Sequence, residues 1–103
     1  MMTKTDKLFI SRLEMIVYSH TDVSIDEIKD KSRKAEVVIL RFIVAYLLKK
    51  YTIMSLKSIG EYLGGRDHST IINALGVVQK WYDQPRMYSA EIKLLNEIEE
   101  QMK

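Results

Sequence analysis

From Lys7 onward, hydrophobic positions recur at helical spacing. Leu8, Phe9, Leu13, Ile16 and Val17 form one stripe with Arg12 and Glu14 outside it, predicting a first helix that exits between Tyr18 and Asp22. Met1 to Asp6 precedes the pattern and is expected to be frayed. Ser24 to Ile28 reads as a short capped turn. Between Glu36 and about Tyr51, Val37, Val38, Leu40, Val44, Leu47 and Leu48 are apolar nearly all round, the mark of a helix buried on most sides. Arg41 is the exception, and a snorkelling arginine at the edge of the core would explain it.

A short helix follows a connection at Thr52 to Met54. Leu56, Ile59 and Leu63 share its face, Ser55 can cap it, and Gly64-Gly65 can stop it through the left-handed conformation. Asp67 can cap the next helix, which runs to about Tyr82. That helix is expected to bury Ile71, Leu75, Val78 and Tyr82 and to show His68, Ser69, Asn73 and Lys80; Trp81 and Tyr82 would close the core. Gly76 lies inside it at a cost of about 1 kcal/mol relative to alanine, and close packing of another helix is the simplest reason. Gln84-Pro85 breaks the chain, and Ser89 to Lys103 forms a last helix striped by Ile92, Leu95, Ile98 and Met102. The fold class is all-α, one compact domain over residues 1–103, with a helix-turn-helix at 55–82. In that plan the first residues of the second helix reach base edges in the major groove.

The plan is generic, but the residues are specific. Ile59-Gly60 followed by Gly64-Gly65-Arg66-Asp67-His68-Ser69-Thr70-Ile71 closely resembles the signature of the C-terminal DNA-binding domain of the DnaA family of bacterial replication initiators. The resemblance runs from about Leu8 to the C-terminus and covers that one domain only. It implies an all-helical, Trp-repressor-like domain whose recognition helix enters the major groove while a basic loop reaches the minor groove.

Carried over residue by residue, the resemblance assigns base contacts to Asp67, His68, Ser69 and Thr70 and a minor-groove contact to Arg33. Phosphate contacts fall to Arg41, Lys49 and Leu56 through its backbone N–H, while Lys57 and Arg66 are phosphate candidates by their own charge and place. Four positions depart from the family pattern. Phe42 replaces a glutamine that contacts phosphate, Lys57 a common proline, Ser69 a usual threonine, and Ala35 an often basic residue. The loss of the threonine methyl weakens any thymine contact made through it, and Arg33 carries the minor-groove contact nearly alone.

The residue chemistry leaves alternatives open. Asp67 is a plain N-cap, or also accepts from the exocyclic amine of cytosine. Thr70 offers a methyl to thymine and a hydroxyl to a base edge or phosphate. Arg66 is a structural clamp on the turn or a phosphate contact. His68 has no partner at metal or triad spacing, and the only other histidine is His20; a base or phosphate contact fits it better.

Charge adds a direction. The formal net charge of the 103 residues is +2, which permits nucleic-acid binding without demanding it. Between Lys29 and Lys50, seven basic residues stand against two acids, so positive potential gathers beside the helix-turn-helix. From Asp83 onward five acids stand against three bases, and this end should face away from DNA.

The remaining composition narrows the class. There is no cysteine, hence no disulfide framework or thiolate metal site, which fits a cytoplasmic location. The longest apolar run, Val37 to Leu48, is too short for a bilayer and is broken by Arg41, so no membrane is expected. No G-x-x-x-x-G-K-[ST] loop is present, so no nucleotide, cofactor or metal is expected. No paired acids or nucleophile–base set argues for an enzyme. The expected function is sequence-preferring binding of double-stranded DNA, connected with replication initiation or its regulation. Competition or association with a full-length initiator would follow from shared sites. The Met1 start and the complete last helix incline towards a naturally small protein rather than a fragment. The rival is a protein-interaction module that kept the fold and lost specific DNA binding, for which Phe42, Ala35 and Ser69 speak.

Overall fold

The structure, a computed structural model, describes residues 3–103. Six helices account for nearly all of them, with no strand among the described residues: α1 Lys4–Thr21, α2 Ile25–Lys29, α3 Ala35–Tyr51, α4 Leu56–Tyr62, α5 His68–Asp83 and α6 Ser89–Met102. Helix α3 is the axis. Val37, Leu40, Ile43, Val44, Ala45, Leu47 and Leu48 leave it almost no solvent-facing side, and it packs against each of the other five helices. Fully burying such aliphatic side chains contributes about 1.5–3 kcal/mol each. The expected central helix is therefore the element around which the rest assembles.

Local signals set most helix ends. Ser24 accepts from the Glu27 N–H while the Glu27 carboxylate reaches back to the Ser24 N–H, a reciprocal capping box that starts the five-residue α2. Ser55 Oγ accepts from the Ser58 N–H at 3.1 Å and starts α4. Helix α1 begins at Lys4, three residues before the expected start. Thr3 and Asp6 form a second capping box there, so the fraying expected of the leader does not extend to residues 4–6. The part of that expectation that falls on Met1 and Met2 lies outside the described residues.

Two faces are rotated from the expected register. In α1 the buried positions are Asp6, Ile10, Leu13 and Val17, while Leu8 is 65% exposed. In α5 they are Ile71, Ala74, Val78 and Trp81; Leu75 is half-buried and Tyr82 is exposed, its ring 6.3 Å from Tyr46 at the rim. Positions i+3 and i+4 are both near neighbours on a helix. Trp81 takes the inward place because its ring meets Phe42 edge-on at 6.3 Å. The reason expected for Gly76 also fails: it is exposed, and a Cβ built there would meet nothing within 4 Å. The last helix follows its stripe, with Leu95 and Ile98 buried and Ile92 and Met102 packed against the core.

Candidate nucleic-acid interface

The turn between α4 and α5 is built by two glycines that accept no other residue. Gly64 has φ +90°, and a Cβ on it would collide with the carbonyl oxygen of Lys29. Gly60 has ordinary dihedrals but sits so close to the turn that a Cβ would collide with the Arg66 carbonyl oxygen. Its own carbonyl accepts from the N–H groups of Gly65 at 3.1 Å and Arg66 at 2.8 Å. These contacts fold the chain back sharply after α4 and aim α5 away from it. They also press the turn against the end of α2.

At the start of α5, Asp67, His68 and Ser69 lock one another. Asp67 Oδ1 accepts from the His68 N–H at 2.9 Å and lies 3.1 Å from His68 Nδ1, while Asp67 Oδ2 accepts from Ser69 Oγ at 2.7 Å. The hydroxyl of Ser69 and the backbone N–H of His68 hold the Asp67 carboxyl below the usual carboxylate range. Asp67 is thus an ionised cap whose oxygens keep spare acceptor capacity. The His68 side chain is 63% exposed, and Ser69, having donated, presents lone pairs. Thr70 is exposed beside them. One turn on, Ile72 is 52% exposed and Asn73 is exposed on the same side of the helix. Ile72, three residues after Ser69, is not among the site residues expected from the sequence.

The basic loop between α2 and α3 is held from beneath by two arginines. Arg41 Nε donates to the Ile28 carbonyl at 2.8 Å, and Arg41 Nη2 donates to the carbonyls of Asp30 at 2.9 Å and Ser32 at 3.3 Å. Arg66 Nη2 donates to the same Asp30 carbonyl at 2.7 Å, and Arg66 Nη1 donates to Lys29 O at 3.0 Å and to Leu63 O. Burial first, and the neighbouring Arg66 charge second, pull Arg41 below its ordinary value; the Asp30 carboxylate opposes them. The phosphate contact expected of Arg41 falls on a side chain that is 9% exposed and whose Nε and Nη2 are committed to backbone carbonyls, while no hydrogen bond among the described residues engages Nη1. Of the two roles open to Arg66, the geometry is that of the clamp, and the clamp reaches beyond its own turn into the basic loop.

The same loop is tied at its other edge. Lys29 Nζ lies 4.4 Å from the centroid of the Tyr62 ring, and the Tyr62 hydroxyl donates to Glu14. Burial and that bond push the Tyr62 hydroxyl well above its ordinary range, so it stays a donor. Beyond these ties Lys31, Arg33 and Lys34 are exposed, and no hydrogen bond or ion pair among the described residues holds the Arg33 side chain.

The remaining phosphate candidates lie on separate elements. Lys49 is exposed in the last turn of α3, beside a groove lined by Tyr46, Lys50, Leu75 and Gln79. Its neighbour Lys50 is engaged by Glu99. Leu56 and Lys57 open α4, where the leading N–H groups of a helix have no intrahelical partner. Phe42, in place of a glutamine, turns inward against Trp81. A larger open groove of about 690 Å³ runs along α6 past His20 and Pro85 and is lined by none of these residues.

Among the described residues no helix is long and apolar enough to cross a membrane. No solved structure matches the chain significantly. The chromosomal replication initiator protein DnaA of Chlorobaculum tepidum is 42% identical over 76 residues, 74% of this chain and 15% of that protein. The DnaA of Bacteroides thetaiotaomicron is 35% identical over 90 residues, 87% of this chain and 19% of that protein. The DnaA of Porphyromonas gingivalis is 47% identical over 51 residues, half of this chain and 11% of that protein. The chain therefore spans less than a fifth of the length of these relatives. The family described as the bacterial dnaA protein helix-turn-helix matches residues 10–78, which hold the glycine turn, both arginine clamps and the start of α5. On that match, the chain belongs to the bacterial DnaA helix-turn-helix family.

Proposed function

We propose that this domain binds double-stranded DNA with a sequence preference, in connection with the initiation of replication or its regulation. The observation that carries the reading is the exposed polar first turn of α5, Asp67 to Thr70, held rigid by its own hydrogen bonds at the mouth of a glycine-built turn. A rigid turn of this kind loses little entropy when it enters a groove. Asp67 accepts from a cytosine amine, and His68, Ser69 and Thr70 meet neighbouring base edges. Ile72, one turn deeper, offers its methyl groups to a thymine methyl. Arg33 enters the adjacent minor groove, where a narrow A·T segment concentrates negative potential. Lys49, Lys57 and the Leu56 N–H neutralise or bond phosphates. Base preference lives in the first group and salt-dependent affinity in the last.

The test is binding of a labelled duplex by the purified protein over a range of salt. Lys49→Ala should weaken binding to all sequences alike and make the slope of log affinity against log salt shallower by about one. Arg41→Ala should act differently. It orphans the carbonyls of Ile28 and Ser32 and removes one of the two donors to that of Asp30, so it should lower stability by about 1–3 kcal/mol and leave the number of phosphate contacts unchanged. No change in affinity for Lys49→Ala, or a lost phosphate contact without lost stability for Arg41→Ala, would contradict this docking.

A further inference from the structure

From the way two guanidinium groups converge on one short piece of backbone, we infer that Arg66 is a positioning residue that sets the minor-groove loop against the recognition helix, so that the two grooves are read as one unit. The inference rests on the DNA-binding reading above and assigns Arg66 no contact with DNA. The Asp30 carbonyl accepts from both Arg41 and Arg66, at 2.9 Å and 2.7 Å. The Lys29 carbonyl accepts from Arg66 at 3.0 Å and lies against the backbone of Gly64. These carbonyls end α2, where the helix dipole concentrates negative partial charge, so two cations side by side are tolerated there. Arg66 immediately precedes Asp67, the cap of α5, and Arg33 stands three residues beyond Asp30. One side chain therefore spans the junction between the element offered to the major groove and the loop offered to the minor groove.

A planar fork is needed for this. Arg66 serves the carbonyls of Lys29, Asp30 and Leu63 through two nitrogens at once. A lysine at 66 would keep the positive charge but not the fork. Charge and geometry can thus be separated by a single conservative substitution. With the clamp broken, the loop still carries Lys31, Arg33 and Lys34, but Arg33 is no longer presented at a fixed offset from α5.

Arg66→Lys and Arg66→Ala should be compared with wild type and Arg33→Ala on duplexes that share the preferred core site and differ only in A·T-rich or G·C-rich flanks. Both Arg66 variants should lose the preference for A·T flanks down to the level of Arg33→Ala while keeping the preference within the core site. Adding Arg33→Ala to either should weaken binding by no more than about two-fold, whereas independent roles would multiply in full. A wild-type-like Arg66→Lys with a weakened Arg66→Ala would make Arg66 a phosphate contact and overturn the inference.

A second readout needs no DNA. Trypsin should cut after Lys31, Arg33 and Lys34 faster in both Arg66 variants than in wild type, well below their melting temperatures, with no faster cutting inside α3 or α5. Unchanged cleavage would also overturn the inference, even if DNA binding behaves as proposed. If Arg66→Ala does not fold, Arg66→Lys carries both comparisons alone. Faster loop cleavage in a protein that binds no duplex would keep the clamp and sink the DNA-binding reading instead.

Discussion

At the scale of single residues, Asp67 is proposed to do two things. As a cap it needs an acceptor for the His68 N–H; as a reader of cytosine it needs acceptors only. Asp67→Asn separates the two, because asparagine caps about as well as aspartate but prefers adenine. The variant should keep the wild-type melting temperature and shift or relax preference at one base pair by roughly ten-fold or more. An unaltered preference at every position of the binding site would leave Asp67 a cap and nothing more. The cap itself was legible in the sequence, since an Asp before a helical pattern is a local signal. The roles of Arg41 and Arg66 were not. Their partners are backbone carbonyls of residues 28–32, and no pattern of residue types reveals where a loop's carbonyls point. The resemblance to the family suggests a phosphate for Arg41, and it gives no sign that Arg41 Nε and Nη2 hold the loop.

Among the elements, the caps and stop of α4 and the start of α5 were readable, because Ser55, Gly64-Gly65 and Asp67 act through their immediate neighbours. The faces of α1 and α5 were read less well. Neighbouring positions compete for the inward place, and the choice is made by partners on other helices, as Phe42 makes it for Trp81. A contact of this long-range kind joins α3 to α6. Glu99 is 7% exposed and accepts from Lys50 and from the Tyr51 hydroxyl. Burial alone would push its carboxyl upward; the bonds from Lys50 and Tyr51 outweigh this and hold it below its ordinary value. The same bond pushes Lys50 above the ordinary lysine range. A depressed carboxyl contributes stability above its unfolded value that is lost as pH falls through the folded one. A raised ammonium contributes below its unfolded value and loses that contribution as pH rises through the folded one. Stability from this pair should therefore be flat around neutrality and fall below the ordinary glutamate range. Glu99→Gln should lower the melting temperature at pH 7 and flatten the acid limb. An acid limb as steep as that of wild type would show that other carboxylates carry it.

For the molecule as a whole, charge is unevenly distributed along the chain. The basic loop, Lys49 and the opening of α4 carry the positive groups, while the chain beyond Asp83 carries an excess of acids. A domain only 37 × 28 × 24 Å in extent, built on a single buried helix, can hold α5 and the basic loop in a fixed relation. The proposed preference of this surface for particular duplex sequences is best tested by selection from random double-stranded oligonucleotides with the purified protein. The expected result is enrichment of one short element containing a cytosine whose recognition depends on Asp67, flanked by an A·T-rich segment whose enrichment is lost with Arg33→Ala. A pool that remains random after repeated rounds, with the protein folded throughout, would contradict it.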